Sequence, residues 1–194
     1  MDYYYGYEPG PVARRAVRYH RPRMPIGGTA LDAGCGEGQD LAFLAEHGYE
    51  STGIDFTETG VQKAEQLLRS RGLHAELIRA DLRDLGSDER LCGRQFDIVL
   101  AVNALQFIGT DGSAFLDQLQ QRVRPGGVIG LSLWARERGH ASIENGIWLV
   151  TLEEVMDRFA RWQPLEAANL WQWNPGSDTP LAFVTLLARA PASR

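Results

Sequence analysis

The chain has 194 residues, the size of one domain, and 44% of them are hydrophobic, which is enough for a sizeable core. Its net charge of −5 at pH 7 argues against a general attraction to nucleic acid. No apolar run reaches the length of a membrane span, and residues 1–5 lack the basic start and apolar stretch of a signal peptide. Cys35 and Cys92 have no metal-ligand spacing, so we expect a cytoplasmic protein with no metal and no nucleic-acid or membrane partner.

The first ten residues concentrate aromatic side chains, at Tyr3, Tyr4, Tyr5 and Tyr7. One interpretation is a frayed terminus whose rings rest on the core. The other is a lid that closes over a ligand, and the sequence leaves both open. Residues 11–23 then predict a short basic helix.

A glycine-rich loop follows the first predicted strand and organises the rest of the chain. Asp32 precedes three alternating glycines, Gly34, Gly36 and Gly38, and an apolar stripe over residues 39–47 predicts a helix. Strand, glycine loop and helix in this order hold a nucleotide-like ligand, because glycine permits tight turns and the helix start offers free N–H groups. The spacing is G-x-G-x-G, which differs from the G-x-G-x-x-G of dinucleotide-binding proteins.

Strands and helices alternate beyond this loop, which predicts a doubly wound, mostly parallel α/β sheet. A second acid, Asp55, ends the second strand about 20 residues after Gly34, the distance expected for a ribose-binding carboxylate. Residues 135–150 show no periodicity and follow the fifth strand, so we expect them to form a wall of a substrate site. The predicted strands are 29–31, 50–54, 75–79, 96–102, 128–134, 165–173 and 181–188, and the predicted helices are 11–23, 39–47, 58–71, 112–123 and 151–161.

Five short motifs resemble those of the class I S-adenosylmethionine-dependent methyltransferases. They are DAGCGEG at 32–38, IDF at 54–56, ADL at 80–82, FDIVLAVN at 96–103 and RPGGV at 124–128. The chain's length, aromatic start and final hairpin are most similar to the small tellurite-resistance methyltransferases. The resemblance implies a seven-stranded Rossmann-like sheet that ends in an antiparallel hairpin. It also implies one domain over 1–194, with a lid and helix at 1–25, a cofactor-binding core at 28–134, and a substrate loop, helix and hairpin at 135–194.

The same resemblance implies S-adenosylmethionine as the cofactor and assigns residues to each part of it. Those for the methionine portion are Asp32, Gly34, Cys35, Gly36 and Gly38. Asp55 is implied for the ribose, Phe56, Asp81 and Leu82 for the adenine, and Asn103 for the surroundings of the reacting methyl group.

The residues that act on the acceptor are less defined. Asn103, Gln106 and His140 are catalytic candidates, although none is identified as a general base. Candidates for a lid or acceptor wall are Tyr3, Tyr4, Tyr7, Trp134 and Trp148. The tellurite-resistance group carries a His-Arg pair before the hairpin turn, where this chain has residues 170–173, Leu-Trp-Gln-Trp. That departure favours an apolar or aromatic acceptor over a metalloid oxyanion.

The resulting hypothesis is methyl transfer to a small-molecule acceptor by a monomer or homodimer. The first alternative is a module that binds S-adenosylmethionine without turnover. The second is a nicotinamide-dependent oxidoreductase, which the glycine spacing disfavours. Turnover separates the first alternative from the hypothesis, and the identity of the bound cofactor separates the second.

Overall fold

The computed structural model describes residues 6–21, 27–109, 112–136, 146–172 and 180–192. Its strands form one seven-stranded sheet in the order β3-β2-β1-β4-β5-β7-β6. The strands are β1 Gly28–Ala33, β2 Tyr49–Asp55, β3 Glu76–Arg79, β4 Phe96–Val102, β5 Val123–Trp134, β6 Gln163–Gln172 and β7 Leu181–Arg189. The predicted doubly wound, mostly parallel sheet is confirmed.

The direction of the strands changes only at β7. Strands β1 to β5 pair in parallel. Strand β7 runs antiparallel to both β5 and β6, so the predicted C-terminal hairpin is confirmed. Strand β4 is the clearest case of a central strand, since Phe96 to Ala101 are all buried, as expected for a strand covered on both faces.

Helices cover the sheet, and their ends follow local sequence signals. Thr57 caps one helix by accepting from the Gly60 N–H at 3.1 Å, and Thr151 forms the predicted capping box with Glu154. The helices are α1 Pro11–His20, α2 Gln39–Glu46, α3 Glu58–Ser70, α4 Ser113–Gln121 and α5 Leu152–Arg158, with short 3₁₀ helices at Leu82–Asp84 and Leu105–Phe107.

Helices α1 and α5 each end three residues before the predicted end, and two strand boundaries differ from the prediction for physical reasons. Strand β5 begins at Val123 rather than at residue 128, because Val123 pairs with Phe96 before a register shift carries the chain to Val128. Strand β6 begins before Pro164, which its position at the edge of the sheet permits because an edge residue need not donate to a neighbour. Within the described residues, we find no helix that is both long and apolar enough to cross a membrane.

Candidate active site

A cleft of about 850 Å³ opens at the carboxyl ends of the strands, where the strand order reverses between β1 and β4. Open α/β sheets bind their ligands at this point. Within the described residues, the lining comes from the glycine loop, the ends of β2 and β4, the segment before α1, and strands β5, β6 and β7. The volume is in the upper range for small-molecule sites, so it has room for more than one ligand group.

The glycine loop is fixed by hydrogen bonds to the neighbouring strand. The N–H groups of Gly34 and Cys35 both donate to the Ile54 carbonyl at 2.8 Å. Gly34 has φ +84°, and a Cβ atom there would lie 2.2 Å from the Ala104 Cβ. Gly38 has φ +89°, and its Cβ would lie 2.7 Å from the Ala64 Cβ. Larger residues would therefore push the loop away from β4 and α3, so the glycines set how closely the backbone lines the cleft.

Asp32 ends β1 inside the cleft and is almost fully buried. Its Oδ2 atom has no hydrogen-bond partner among the described residues. Burial raises the pKa of Asp32 well above its ordinary value, and the nearby charges of Asp40 and Asp55 raise this pKa further. A buried, unpaired carboxylate oxygen is costly, which points to a cationic or hydrogen-bond-donating ligand group as its partner.

Asp55 joins the end of β2 to both the glycine loop and helix α3. Its Oδ2 accepts from the Gly36 N–H at 3.0 Å, and its Oδ1 accepts from the Thr57 N–H at 2.8 Å and the Thr57 hydroxyl at 2.6 Å. Each carboxylate oxygen has more than one acceptor site. Asp55 can therefore accept from a ligand hydroxyl as well, with its orientation already fixed.

The residues predicted for the adenine lie together on the β2–β3 side of the cleft. Phe56 is 65% exposed and offers a ring face to a planar ligand, while Leu82 is largely buried and also lines the cleft. Asp81 caps its short 3₁₀ helix and accepts from the Arg83 side chain at 2.5–3.0 Å. Hydrogen bonds from Arg83 lower the pKa of Asp81, so this carboxylate is ionised near neutral pH.

The segment before α1 is attached to the start of helix α2. The Gly10 N–H donates to Asp40 Oδ1 at 2.6 Å, and Gln39 Nε2 donates to the Gly6 carbonyl at 2.9 Å. Glu8 and Gly10 line the cleft, whereas Tyr7 is 53% exposed and does not line it. Burial raises the pKa of Asp40, although the Gly10 N–H and the Arg14 charge oppose the shift. Tyr3 and Tyr4, predicted for the lid, lie outside the described residues.

Asn103 directly follows β4 and has an unusual backbone, since its φ of +53° is the one positive value at a non-glycine residue among those described. Three hydrogen bonds hold it there. Its N–H donates to the Ser132 carbonyl at 2.9 Å, its Oδ1 accepts from the Ser132 hydroxyl at 2.9 Å, and its carbonyl accepts from Gln106 Nε2 at 2.8 Å. Strained backbone that is held in this way clusters at functional sites.

Three other candidates lie behind the cleft lining. Gln106 is 1% exposed and faces Asn103 from beneath, with its Oε1 atom lacking a partner among the described residues. The Trp134 ring packs edge-on against Phe107 with centroids 5.8 Å apart. Trp148 is buried against Gly112, and its backbone N–H donates to the Gln106 backbone carbonyl. These three residues support the lining rather than form it, and His140 lies outside the described residues.

On the side of the cleft formed by the ends of β4 to β7, the sequence analysis singled out the Leu-Trp-Gln-Trp segment at 170–173 and missed the other lining residues. Phe107 is 60% exposed and Trp171 is 54% exposed, and both line the cleft. Other lining residues on this side include Val102, Ile108, Ser132, Leu170, Phe183 and Thr185. They come from four strands and the segment after β4, and no local motif connects them.

Charge divides the cleft into two halves. Of the described residues that line it, the charged ones are Glu8, Asp32, Glu37, Asp40, Asp55, Asp81 and Arg83. They lie on the segment before α1, on the glycine loop and α2, and at the ends of β1 to β3. The lining residues from β4, β5, β6 and β7 carry no charge. One half therefore attracts cationic groups, and the other half is neutral and mostly apolar.

The sheet order and the glycine loop beside an acidic strand end define a Rossmann-like methyltransferase. A family described as "Methyltransferase domain" matches residues 31–129, just over half of the chain. The chain thus belongs to the methyltransferase-domain family, and the predicted class I S-adenosylmethionine-dependent type is confirmed.

Individual relatives are similar in sequence or in fold. A ubiquinone biosynthesis O-methyltransferase from Mesorhizobium japonicum is 29% identical over 119 residues, which cover 61% of this chain and 46% of that protein. TehB from Haemophilus influenzae has a TM-score of 0.76 at 15% identity, over 91% of this chain and 62% of that chain. Magnesium protoporphyrin IX methyltransferase from Synechocystis PCC 6803, solved with bound SAM, has a TM-score of 0.68 at 19% identity, over 92% of this chain and 77% of that chain.

These two kinds of similarity establish different things. At such low identities the two structures establish a common fold, including the fold expected from the tellurite-resistance resemblance. The chain spans about half the length of the curated relatives it matches, with 46% of the Mesorhizobium protein covered.

Proposed function

We propose that the acidic half of the cleft binds S-adenosylmethionine and that the protein transfers its methyl group to a small-molecule acceptor. The observation that carries this proposal is the buried Asp32 carboxylate, whose Oδ2 has no partner among the described residues and which lines the cleft beside the glycine loop. The residues fit the cofactor, because an amino group would satisfy Asp32 and the acidic lining suits a ligand with two cationic centres.

Each remaining part of the cofactor has a candidate partner in the same half. The backbone of Gly34, Cys35, Gly36 and Gly38 would lie against the methionine portion, and Cys35 adds a small buried side chain that packs under the loop. Asp55 would accept from the ribose hydroxyls, Phe56 would stack on the adenine, and Asp81 and Leu82 would lie at its edge. Asn103 would lie where the cofactor meets the acceptor.

When bound, S-adenosylmethionine would supply an activated methyl group: its bond to sulfur would break as a bond to the acceptor forms, S-adenosylhomocysteine would leave, and an acceptor hydroxyl would lose its proton to solvent. The task of the protein is then to hold the two ligands in line and to keep water away. The strained backbone of Asn103 and the apolar walls at Phe107 and Trp171 are placed for these two tasks. The similarity to an enzyme named as an O-methyltransferase supports an acceptor oxygen.

We also propose that residues 1–194 form one methyltransferase domain, with the cofactor held by 28–134 and the acceptor enclosed partly by 135–194. The protein would act in the cytoplasm as a monomer or homodimer. The free thiols of Cys35 and Cys92 support a reducing compartment.

Calorimetry with S-adenosylhomocysteine and with NADH tests the cofactor assignment. We expect the first ligand to bind and the second to give no signal. Asp81→Ala should weaken binding by about tenfold, because it removes one charged hydrogen-bond acceptor. Asp84→Ala is the matched control, since Asp84 lies on the same 3₁₀ helix but does not line the cleft. Binding of NADH alone would overturn the assignment, and formation of S-adenosylhomocysteine with an acceptor would separate an enzyme from a silent binding module.

A further inference from the structure

The neutral half of the cleft, formed by the ends of β4, β5, β6 and β7, indicates what the acceptor is. We infer that it binds an uncharged aromatic compound that bears a hydroxyl group. This inference rests on the proposed function, because it identifies the substrate class of the same site.

Two elements that are distant in the sheet each bring one aromatic ring to the lining of this half. Phe107 extends from the 3₁₀ helix after β4, and Trp171 extends from β6, three strands away in the sheet order. The Trp134 ring contacts the Phe107 ring edge-on, which limits its movement. Both wall residues are more than half exposed, and the contact of such large rings with water is unfavourable unless a ligand covers them. A flat apolar ligand is the occupant that two exposed aromatic rings in the lining of one cleft recognise best.

The polar atoms at the base of this half fit a hydroxyl group. The Ser132 hydroxyl donates its hydrogen to Asn103 Oδ1 at 2.9 Å, and the Thr185 hydroxyl donates to the Ala168 carbonyl at 3.4 Å. With their hydrogens used in this way, both oxygens offer lone pairs to the cleft. Since Asn103 Oδ1 accepts from Ser132, its amide offers donors instead. A ligand hydroxyl both donates and accepts, so it matches this pattern.

Charge excludes the other common acceptor classes. An anionic acceptor would enter a cleft whose other half is lined by six carboxylates and one guanidinium, and would meet no cation in the neutral half among the described residues. Desolvation and repulsion would both oppose its binding. A cationic amine would be attracted to the acidic half, but among the described residues no carboxylate lines the half in which the acceptor must react.

The experiment measures binding to protein saturated with S-adenosylhomocysteine, so it does not depend on turnover. Four naphthalene probes of similar shape differ in one group: 2-naphthol, naphthalene, 2-naphthoate and 2-naphthylmethylammonium. We expect 2-naphthol to bind most tightly, naphthalene about two- to tenfold more weakly, and both charged probes at least about tenfold more weakly. Trp171→Ala should weaken 2-naphthol about two- to tenfold without changing the affinity for S-adenosylhomocysteine.

Asn169→Ala is the control, because Asn169 is exposed on the same strand but does not line the cleft. Ser132→Ala should reduce the preference for 2-naphthol over naphthalene. Tightest binding of 2-naphthoate or the ammonium probe, or equal 2-naphthol affinity in the Trp171 variant, would overturn the inference while leaving the cofactor assignment intact. Failure of S-adenosylhomocysteine itself to bind would instead overturn the proposed function on which the inference rests.

Discussion

Asp32→Asn should make the ligand-free protein more stable while it weakens cofactor binding. The substitution keeps the shape of the side chain and removes its charge. In the folded protein, burial and the neighbouring carboxylates of Asp40 and Asp55 raise the pKa of Asp32 well above its unfolded value. The folded state therefore binds a proton more tightly than the unfolded state does, and stability is lost as pH rises from about 4 through the raised pKa. The asparagine variant does not incur this loss.

We expect a gain on the order of 1 kcal/mol in the free energy of unfolding at neutral pH, since a buried unsatisfied polar group costs about 1–3 kcal/mol and the amide retains part of that cost. For a chain of this size, that gain raises the Tm by about 2–4 °C. The same variant should bind S-adenosylhomocysteine about 10- to 150-fold more weakly, because a charge-assisted hydrogen bond of about 1.5–3 kcal/mol is lost. Thermal melts from acid to neutral pH, together with calorimetry, measure both effects.

Asp97→Asn is a control of opposite sign at the other end of the strands. Burial raises the pKa of Asp97, but the Thr29 N–H and hydroxyl and the Arg124 charge outweigh burial and lower it. All three donors are 2.7–3.1 Å from Asp97 Oδ2. Ionised Asp97 therefore stabilises the fold above about pH 4, and its neutralisation should lower the Tm by about 3–12 °C. If Asp32→Asn also lowers the Tm, or changes the affinity for S-adenosylhomocysteine by less than twofold, our account of Asp32 is wrong.

Three further predictions concern other parts of the cofactor half. Asp55→Ala should weaken S-adenosylhomocysteine binding by one to a few powers of ten, and normal affinity would contradict a ribose role. Because three internal donors lose their acceptor, it should also lower the midpoint of urea unfolding. Gly38→Ala should lower the Tm by several degrees, since Gly38 has a φ of +89° and the added Cβ would lie 2.7 Å from the Ala64 Cβ. An unchanged Tm would show that helix α3 can move to make room for the added methyl group. Deletion of residues 1–10 should leave the fold intact, weaken the same binding in calorimetry and lower turnover further; full activity would show that the segment is only a tail.

The residues that line the acidic half of the cleft could be predicted because most of them are close together in the sequence. The glycine loop, Asp32 and the first turn of α2 lie within ten consecutive residues, and Asp55 follows at a fixed distance. Buried parallel strands bring their carboxyl ends to one edge of the sheet, and the family resemblance of the motifs at 80–82 and 96–103 then implied that Asp81 and Asn103 lie beside the same cleft. The sequence could not show that Asp55 already accepts three protein hydrogen bonds, because these depend on the turn into α3.

The residues that line the neutral half of the cleft could not be predicted in the same way. Trp171 lines the cleft only because β6 pairs with β7 in the register Trp171–Ala182, after an irregularity between Pro164 and Glu166. A slip of one residue would turn the ring to the opposite face, and apolar patterning on an exposed edge strand sets the register weakly. Trp134 and Trp148 were preferred as large aromatic residues near the end of β5. In the structure, Trp134 packs against Phe107 and Trp148 donates to the Gln106 backbone, so both lie behind the lining. Composition does not reveal whether an aromatic residue lines a cleft or supports its lining.

Asn103 shows how the two halves depend on each other. Strand β4 lies between β1 and β5 in the sheet, so Asn103, the residue that follows it, stands between the charged half and the neutral half. Ser132 on β5 fixes the Asn103 side chain, and Gln106 fixes its carbonyl from beneath. The buried Oε1 of Gln106, which has no partner within the described ranges, and the positive φ of Asn103 both cost stability. Because one cost falls on Asn103 and the other on the residue that holds its carbonyl, at the point where methyl donor and acceptor would meet, the position of Asn103 is better explained by the alignment of two ligands than by the stability of the fold.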